Sequence, residues 1–537
     1  MAGVDELCRS YLDLKYHFDP AAASAAGLTS HDGRLGSFDR ASTRAHLAAL
    51  RAVAGAVEEL EVEGLQDEID RTALLGELRS TAFRFEHEEP HRRNPAFWLG
   101  HLFQGLYSIL ARRDTGAGGR APAVLERLGA APAFLDTARS TLDEPPPVFM
   151  DTALGMLGGG GELIVQLAAV LGAEAPDLAE RLNAATGEAL RALKRFGTAL
   201  RDDIEPSADP QSFAVGEEQF SRRLHYEHAL EPGAPELWRY GLHLQEEVET
   251  QLAGLAAELG SRSWRELVER LRDDAPDPGQ LLEVYREELD RACRFVGERE
   301  LLTVPRAPVE VVPTPAFLVA LVPFAAYEPP PIYLGDQTGR FYVTRPDGGS
   351  AEIRAAQRRG HCRYGIPSMV AHEAYPGHHL QLATAQELAS EVRRHLWTPV
   401  MVEGWALYSE QLMAEMGYYS APEARLFQLV NLLWRAVRVV LDVGLHTRGM
   451  TPVEAVDYMI AHLPIERTSA EAEVRRYCAW PTYQLCYAVG RRELLRLRDA
   501  YRERAGPSYS PRRFHDELLG YGGLPVSLAR WGMDLVE

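Results

Sequence analysis

Helical periodicity recurs through most of the chain and constrains its fold more than any other feature. The stretches "AHLAALRAVAGAVEELEVEGL", "GEALRALKRFGTALRDDI" and "PELWRYGLHLQEEVETQLAGLAAELG" repeat apolar residues at three-to-four spacing with charges between. A helix that buries one face has that pattern. Breakers fall between such blocks: "DEPPPVFMD", the glycine run Gly158 to Gly161, "DDAPDPG" and "YEPPPIYLGDQTGRFYVTRPDGG". The glycine run lacks the lysine and hydroxyl of a phosphate loop, so it reads as a plain loop. Only the last breaker reads as extended, with 332–334 and 340–344 forming a small β-hairpin or edge strand. The expected fold is mostly α. Residues 1–310 form an N-terminal helical region, one wall of a cleft, and residues 311–537 a C-terminal helical region that carries the chemistry.

Helix starts in that C-terminal part are marked by Ser420-x-x-Glu423, Thr451-x-x-Glu454 and Thr468-x-x-Glu471. Each matches a capping box, in which a hydroxyl and a carboxylate satisfy orphan amides reciprocally. The bulk properties set limits on partners. A net charge of −20 argues against nucleic acid and anionic membranes, because both repel a negative surface. Five scattered cysteines without a C-x-x-C pair fit a reducing compartment and supply no zinc framework. The N-terminal residues carry no basic start followed by an apolar run, and no stretch of 18 uncharged apolar residues occurs. The expectation is a cytoplasmic, soluble protein.

The chemistry concentrates in "MVAHEAYPGHHL". His372 and Glu373 supply half of an H-E-x-x-H zinc motif, whose two histidines lie four apart on one helical face. Pro376 occupies the position of the second histidine. Proline lacks an amide and clashes with the preceding turn, so the helix must kink or bulge there, and Gly377 permits it. His379 is seven residues after His372, nearly the same face of an unbroken helix but roughly 10 Å along it. His378 is six residues on and reaches the first imidazole only if the Pro-Gly step distorts the backbone. We favour His378 as second metal ligand and place His379 toward substrate. The third ligand is expected on "MVEGWALYSEQLMAEMG", where Glu403 and Glu410 share a face opposite an apolar one. Glu403 then completes the metal site, and Glu410 orients a ligand or lines the cleft.

"NLLWRAVRVVLDVGLH" is apolar on nearly all sides yet carries a stripe of Asn431, Arg435, Arg438, Asp442 and His446. Polar groups on a buried helix must be paired or must face water. One reading is an Arg438–Asp442 ion pair with His446 satisfied beside it. The other puts His446 or Arg435 in the cleft as a donor to an oxyanion or a substrate carboxylate. Tyr487 is either a core tyrosine or a phenol near the scissile carbonyl. "GRFYVTRP" is either a covering hairpin or an edge strand pairing with an extended peptide, with Tyr342 and Arg345 toward the cleft.

Taken together, "HEAYPGHHLQ", "EGWALYSEQL", "GRFYVTRP", "LDVGLHTRGMTPVEAVDYM", "EVRRYCAWPTYQLCYAVG" and "FHDELLGYGGLPVSLAR" resemble the bacterial domain of unknown function 885 family, grouped with zincin-like metallopeptidases. The resemblance covers nearly the whole chain. It implies a large helical, oligopeptidase-like zincin body with a central cleft, zinc held by His372, His378 and Glu403, and Glu373 as general base. Where the family reads Pro-Gly-Gln-Ala, this chain has Thr482, Tyr483 and Gln484 after its proline, and Ala488 stands at an expected lysine. The implied activity is zinc-dependent hydrolysis of a peptide or amide bond. The alternatives are a specialised small-molecule biosynthetic step at the same metal, or a helical binding protein with a vestigial site.

Overall fold

The computed structural model describes residues 3–112, 117–315, 318–319 and 322–535. Among these the protein is mostly helical with one three-stranded sheet. It divides into two compact units. One comprises Met1–Val62, Leu74–Phe213 and Pro330–Gln337; the other comprises Glu63–Ala73, Ala214–Pro329 and Thr338–Glu537. The division near 213 differs from the one expected at 310. Long helices such as Ala234–Glu258 and Leu281–Glu298 group with the downstream part. Sequence periodicity marks a helix but not which core its apolar face enters.

The first unit is built on the helices Pro95–Ala111, Ala117–Thr141, Pro147–Glu174 and Ala179–Asp202. Their inner faces close on a core of Trp98, Leu102, Leu128, Ile164, Leu171 and Phe196. Gly158 to Gly161, expected as a loop, lie in the middle of Pro147–Glu174. Glycine costs a helix about 1 kcal/mol each relative to alanine. Burial of Leu163, Ile164, Leu167 and Leu171 along the same helix offsets that, at about 1.5–3 kcal/mol for each large side chain. Gly160 is required on packing grounds, because a Cβ there would sit 1.9 Å from Phe103 Cζ. This helix is also long and apolar enough to span a membrane, though Leu163, Ile164, Leu167 and Leu171 are buried in the unit's core.

In the second unit β1 (Val309–Pro313), β2 (Ala325–Glu328) and β3 (Gly339–Val343) form a sheet of order β1-β3-β2. β1 runs parallel to β3 and β2 antiparallel to it. The strand expected at 340–344 is therefore present, but its partners are β1 and β2, and 332–334 form a turn. Being central, β3 has both edges occupied and cannot pair with a peptide. Of the three capping boxes, only Thr451 with Glu454 closes. The other two helices start at Pro422 and Arg467, after Ala421 and Glu466.

Two helices form the heart of this unit. Pro399–Glu415 buries Trp405, Leu407, Tyr408 and Met413, and Pro422–Thr447 buries Leu433, Val437, Val440 and Leu441. The first crosses Cys486–Ala505 at Gly404 and Gly490. A Cβ on Gly404 would lie 2.5 Å from the Gly490 Cα, so the two backbones touch. That contact fixes how the side chains of both helices meet the candidate site.

Candidate metal centre

The metal-motif helix runs Ile366–Glu373 and ends there. Residues 374–377 form a turn containing a cis Tyr375–Pro376 bond, and a new helix, His378–Gln386, begins at His378. The chain therefore breaks into two helices where a kink or bulge was expected. Gly377 cannot carry a side chain, since a Cβ would be 1.8 Å from the His372 carbonyl oxygen. Trp405 Nε1 donates to the Pro376 carbonyl at 2.8 Å and ties the turn to the Glu403 helix. Starting the second helix at His378 brings its imidazole beside that of His372, with ring centroids 4.9 Å apart and planes at 88°.

Glu403 meets both rings. Its Oε2 is 3.5 Å from His378 Nε2 and 3.8 Å from His372 Nε2. One donor atom from each of the three residues lies within 4.8 Å of the others, and among the described residues this is the group that could hold a metal ion. Glu410, one heptad along and fully buried, accepts from His372 Nδ1 at 2.8 Å. A carboxylate only accepts, so Nδ1 carries the proton and Nε2 presents its lone pair to the cluster. Burial opposes ionisation of Glu403, but the His378 hydrogen bond and charge, with His372 and Tyr483, hold its carboxyl down at about 2. Burial likewise disfavours a charged His378, yet Glu403 raises its pKa above the ordinary value. Two neutral-capable imidazoles and a carboxylate, all largely buried, fit a divalent ion.

Glu373, next to His372, accepts from the Tyr327 amide of edge strand β2 at 2.9 Å. A backbone donor of this kind leaves no mark in the sequence. Tyr483 donates to Glu403 Oε1 at 2.9 Å. In the sequence that position stands out only as a departure from the pattern the resemblance implies. The turn that carries it is locked: Asp442 accepts from the Thr482 and Leu485 amides at 3.0 and 3.1 Å. Thr482 has φ +65°, the left-handed region that glycine enters without cost. Tyr487 stacks near His372, with centroids 6.4 Å apart and planes at 16°. Its pKa is raised by burial and by Glu403. Ala488, where the resemblance implied a lysine, is buried, and its carbonyl takes the Tyr240 hydroxyl.

Several expected substrate contacts lie elsewhere. His379 is fully buried, with Nδ1 3.0 Å from the Tyr327 hydroxyl and Nε2 3.2 Å from the Ala307 carbonyl. Both its nitrogens are used within the fold, and burial lowers its pKa to about 4. Tyr342 is buried on the central strand, and Arg345 pairs with Asp347 on the exposed surface. Neither occupies an edge that could face a peptide. The stripe on Pro422–Thr447 splits in two. Arg438 pairs with Glu473 and the Tyr477 hydroxyl, not with Asp442. His446 is buried and donates Nε2–H to the Tyr477 carbonyl at 3.0 Å. That bond ties its helix to Arg467–Ala479, and burial lowers its pKa to about 4. Asn431 and Arg435 remain on the half-buried face.

Two solved structures share the whole fold. A candidate lipoprotein of unknown function from Shewanella oneidensis matches with TM-score 0.82 and 22% identity, covering 99% of this chain and 100% of that one. A second such protein, from Colwellia psychrerythraea, matches with TM-score 0.85 and 19% identity, covering 99% of each chain. No curated protein matches the sequence. A family model described as a bacterial protein of unknown function, DUF885, matches residues 20–533. With nearly its full length matched, the chain belongs to the DUF885 family.

Proposed function

We propose that the protein is a zincin-like, zinc-dependent hydrolase of peptide or amide bonds. The observation that carries this reading is the convergence of His372, His378 and Glu403 within 4.8 Å, with Glu373 adjacent to His372 in the chain. A divalent ion held by those three residues would polarise a substrate carbonyl and lower the pKa of water near it. The chain's own groups account for the remaining steps. Glu410 keeps the His372 lone pair turned inward. Glu373, fixed by the Tyr327 amide, takes a proton from attacking water and delivers it to the leaving nitrogen. The C–N bond breaks and the water oxygen stays on the carbonyl carbon. The Tyr483 hydrogen bond holds one oxygen of Glu403 so that the other faces the imidazoles. The ligand set alone accepts several divalent ions, and zinc is proposed because two imidazoles and one carboxylate are a common catalytic zinc set.

The two structural neighbours carry the name of candidate lipoproteins, which the cytoplasmic expectation for this chain does not share. All five cysteines are free, and we propose a reducing compartment on that basis. Cell fractionation with an antibody to the chain tests it: recovery in the membrane fraction would overturn the proposal.

Glu373→Gln tests the hydrolase reading. The variant should keep the wild-type zinc content and lose at least a hundredfold in turnover of short peptides, the scale of general base catalysis. Unchanged turnover would remove Glu373 from the mechanism. A wild type that holds zinc but cleaves no peptide or amide would overturn the hydrolase reading itself.

A further inference from the structure

We infer that Arg435 anchors a free C-terminal carboxylate, so that the protein trims peptides from the C-terminal end; this rests on the hydrolase reading and names its substrate class. Three arginines surround Tyr477 and Tyr487. Arg438 and Arg476 both pair with Glu473. For Arg435, no carboxylate lies within ion-pair distance among the described residues. Its Nη1 donates to the Asn431 carbonyl at 3.3 Å, while its Nε is buried without a hydrogen-bond partner. A guanidinium stays charged under all ordinary conditions, and its planar fork matches a carboxylate through two parallel hydrogen bonds. In a chain with 77 acidic and 57 basic residues, a half-buried arginine without an acid retains its capacity to bind an anion.

Its position supplies the substrate class. Arg435 Cζ lies 5.7 Å from the Tyr487 ring centroid, and that ring lies 6.4 Å from the His372 ring. Those two steps set an upper limit on the path from metal ligand to guanidinium of about three to four extended residues, each spanning about 3.3–3.6 Å. The ion pair itself takes up roughly one of those lengths. At most two or three residues then fit between the scissile carbonyl and a terminal carboxylate, so the products are C-terminal fragments no longer than a tripeptide. Tyr487, near both the ligand and the cation, would flank that short segment.

The test is a binding measurement, separate from turnover. Zinc-loaded Glu373→Gln protein is incubated with randomised N-acetylated tetrapeptides, as free acids and as C-terminal amides, and retained peptides are identified by mass spectrometry. Free acids should be retained at least tenfold over amides. Adding Arg435→Gln should abolish that preference without changing zinc content, and Arg435→Lys, which keeps charge but not the fork, should retain part of it. If the glutamine variant does not fold, the lysine variant and the acid-to-amide ratio decide. Equal retention of acids and amides, retention of neither, or a preference that survives Arg435→Gln would overturn the inference. Selective retention of amides containing Asp or Glu would also overturn it, by assigning Arg435 to a side-chain carboxylate. Arginine-dependent acid preference in a protein whose wild type cleaves nothing would leave the anchor standing and remove the hydrolase.

Discussion

At Asp442, burial outweighs the backbone hydrogen bonds from Leu485, Thr482 and Gln484 and the charge of Arg223, and pushes the carboxyl up from 3.8 to about 7. The folded chain therefore holds a proton between about pH 4 and pH 7 that the unfolded chain has released. Stability from this group is fullest below the unfolded value and falls as pH rises through about 7, by the order of a few kcal/mol. Urea melts from pH 4 to pH 8 should show this loss in the wild type and a flatter profile in Asp442→Asn; parallel profiles would contradict it. The Glu410–His372 hydrogen bond predicts a separate effect. Glu410→Ala should weaken zinc binding about 10–100-fold, the usual cost of losing a group that orients a ligand. Chelator competition measures it, and unchanged affinity would count against the orienting role. Glu403 and Glu410 could both be picked out in the sequence, because helical spacing put them on one face. The Tyr483 hydroxyl on Glu403 and the Tyr327 amide on Glu373 could not, because each crosses between elements far apart in the chain.

Among the elements, the 374–377 turn matters most to the site. Pro376 announced an interruption in the helix, and the sequence favoured His378 on the condition that the backbone distort. Periodicity could not say that the helix would end at Glu373 and restart at His378, since the restart depends on the Trp405 bond to Pro376 and on the space that Gly377 leaves. Gly377→Ala should lose zinc and several kcal/mol of stability, because its Cβ would collide with backbone oxygens of residues 371 and 372, atoms that cannot rotate away. Thermal melting and zinc content check this together; a variant with wild-type values for both would show that the turn adapts. The same limit explains the errors elsewhere. The glycine run became helix because Phe103 and a buried apolar face outweighed propensity. The central place of β3 was not legible because its pairing with β1 and β2 joins segments separated in the chain.

Over the whole molecule, the fold class was legible and the division into units was not, because a boundary is a property of contacts between distant segments. Arg127 shows how the first unit is held. It is fully buried and donates to the carbonyls of Gly105, Pro20, His31 and Arg34 and to the Ser24 hydroxyl. Arg127→Met should cost several kcal/mol, because it orphans those buried acceptors, while the zinc content of the folded fraction stays at the wild-type value. Loss of zinc from folded Arg127→Met protein would contradict the assignment of the metal centre to the second unit alone. Zinc stoichiometry also reaches the core of the proposal. Elemental analysis after dialysis against trace zinc should find one zinc per chain in the wild type and almost none in His378→Ala or Glu403→Ala. A wild type that takes up no zinc, or a His378→Ala protein that keeps its full complement, would contradict the metal centre on which the proposed chemistry depends.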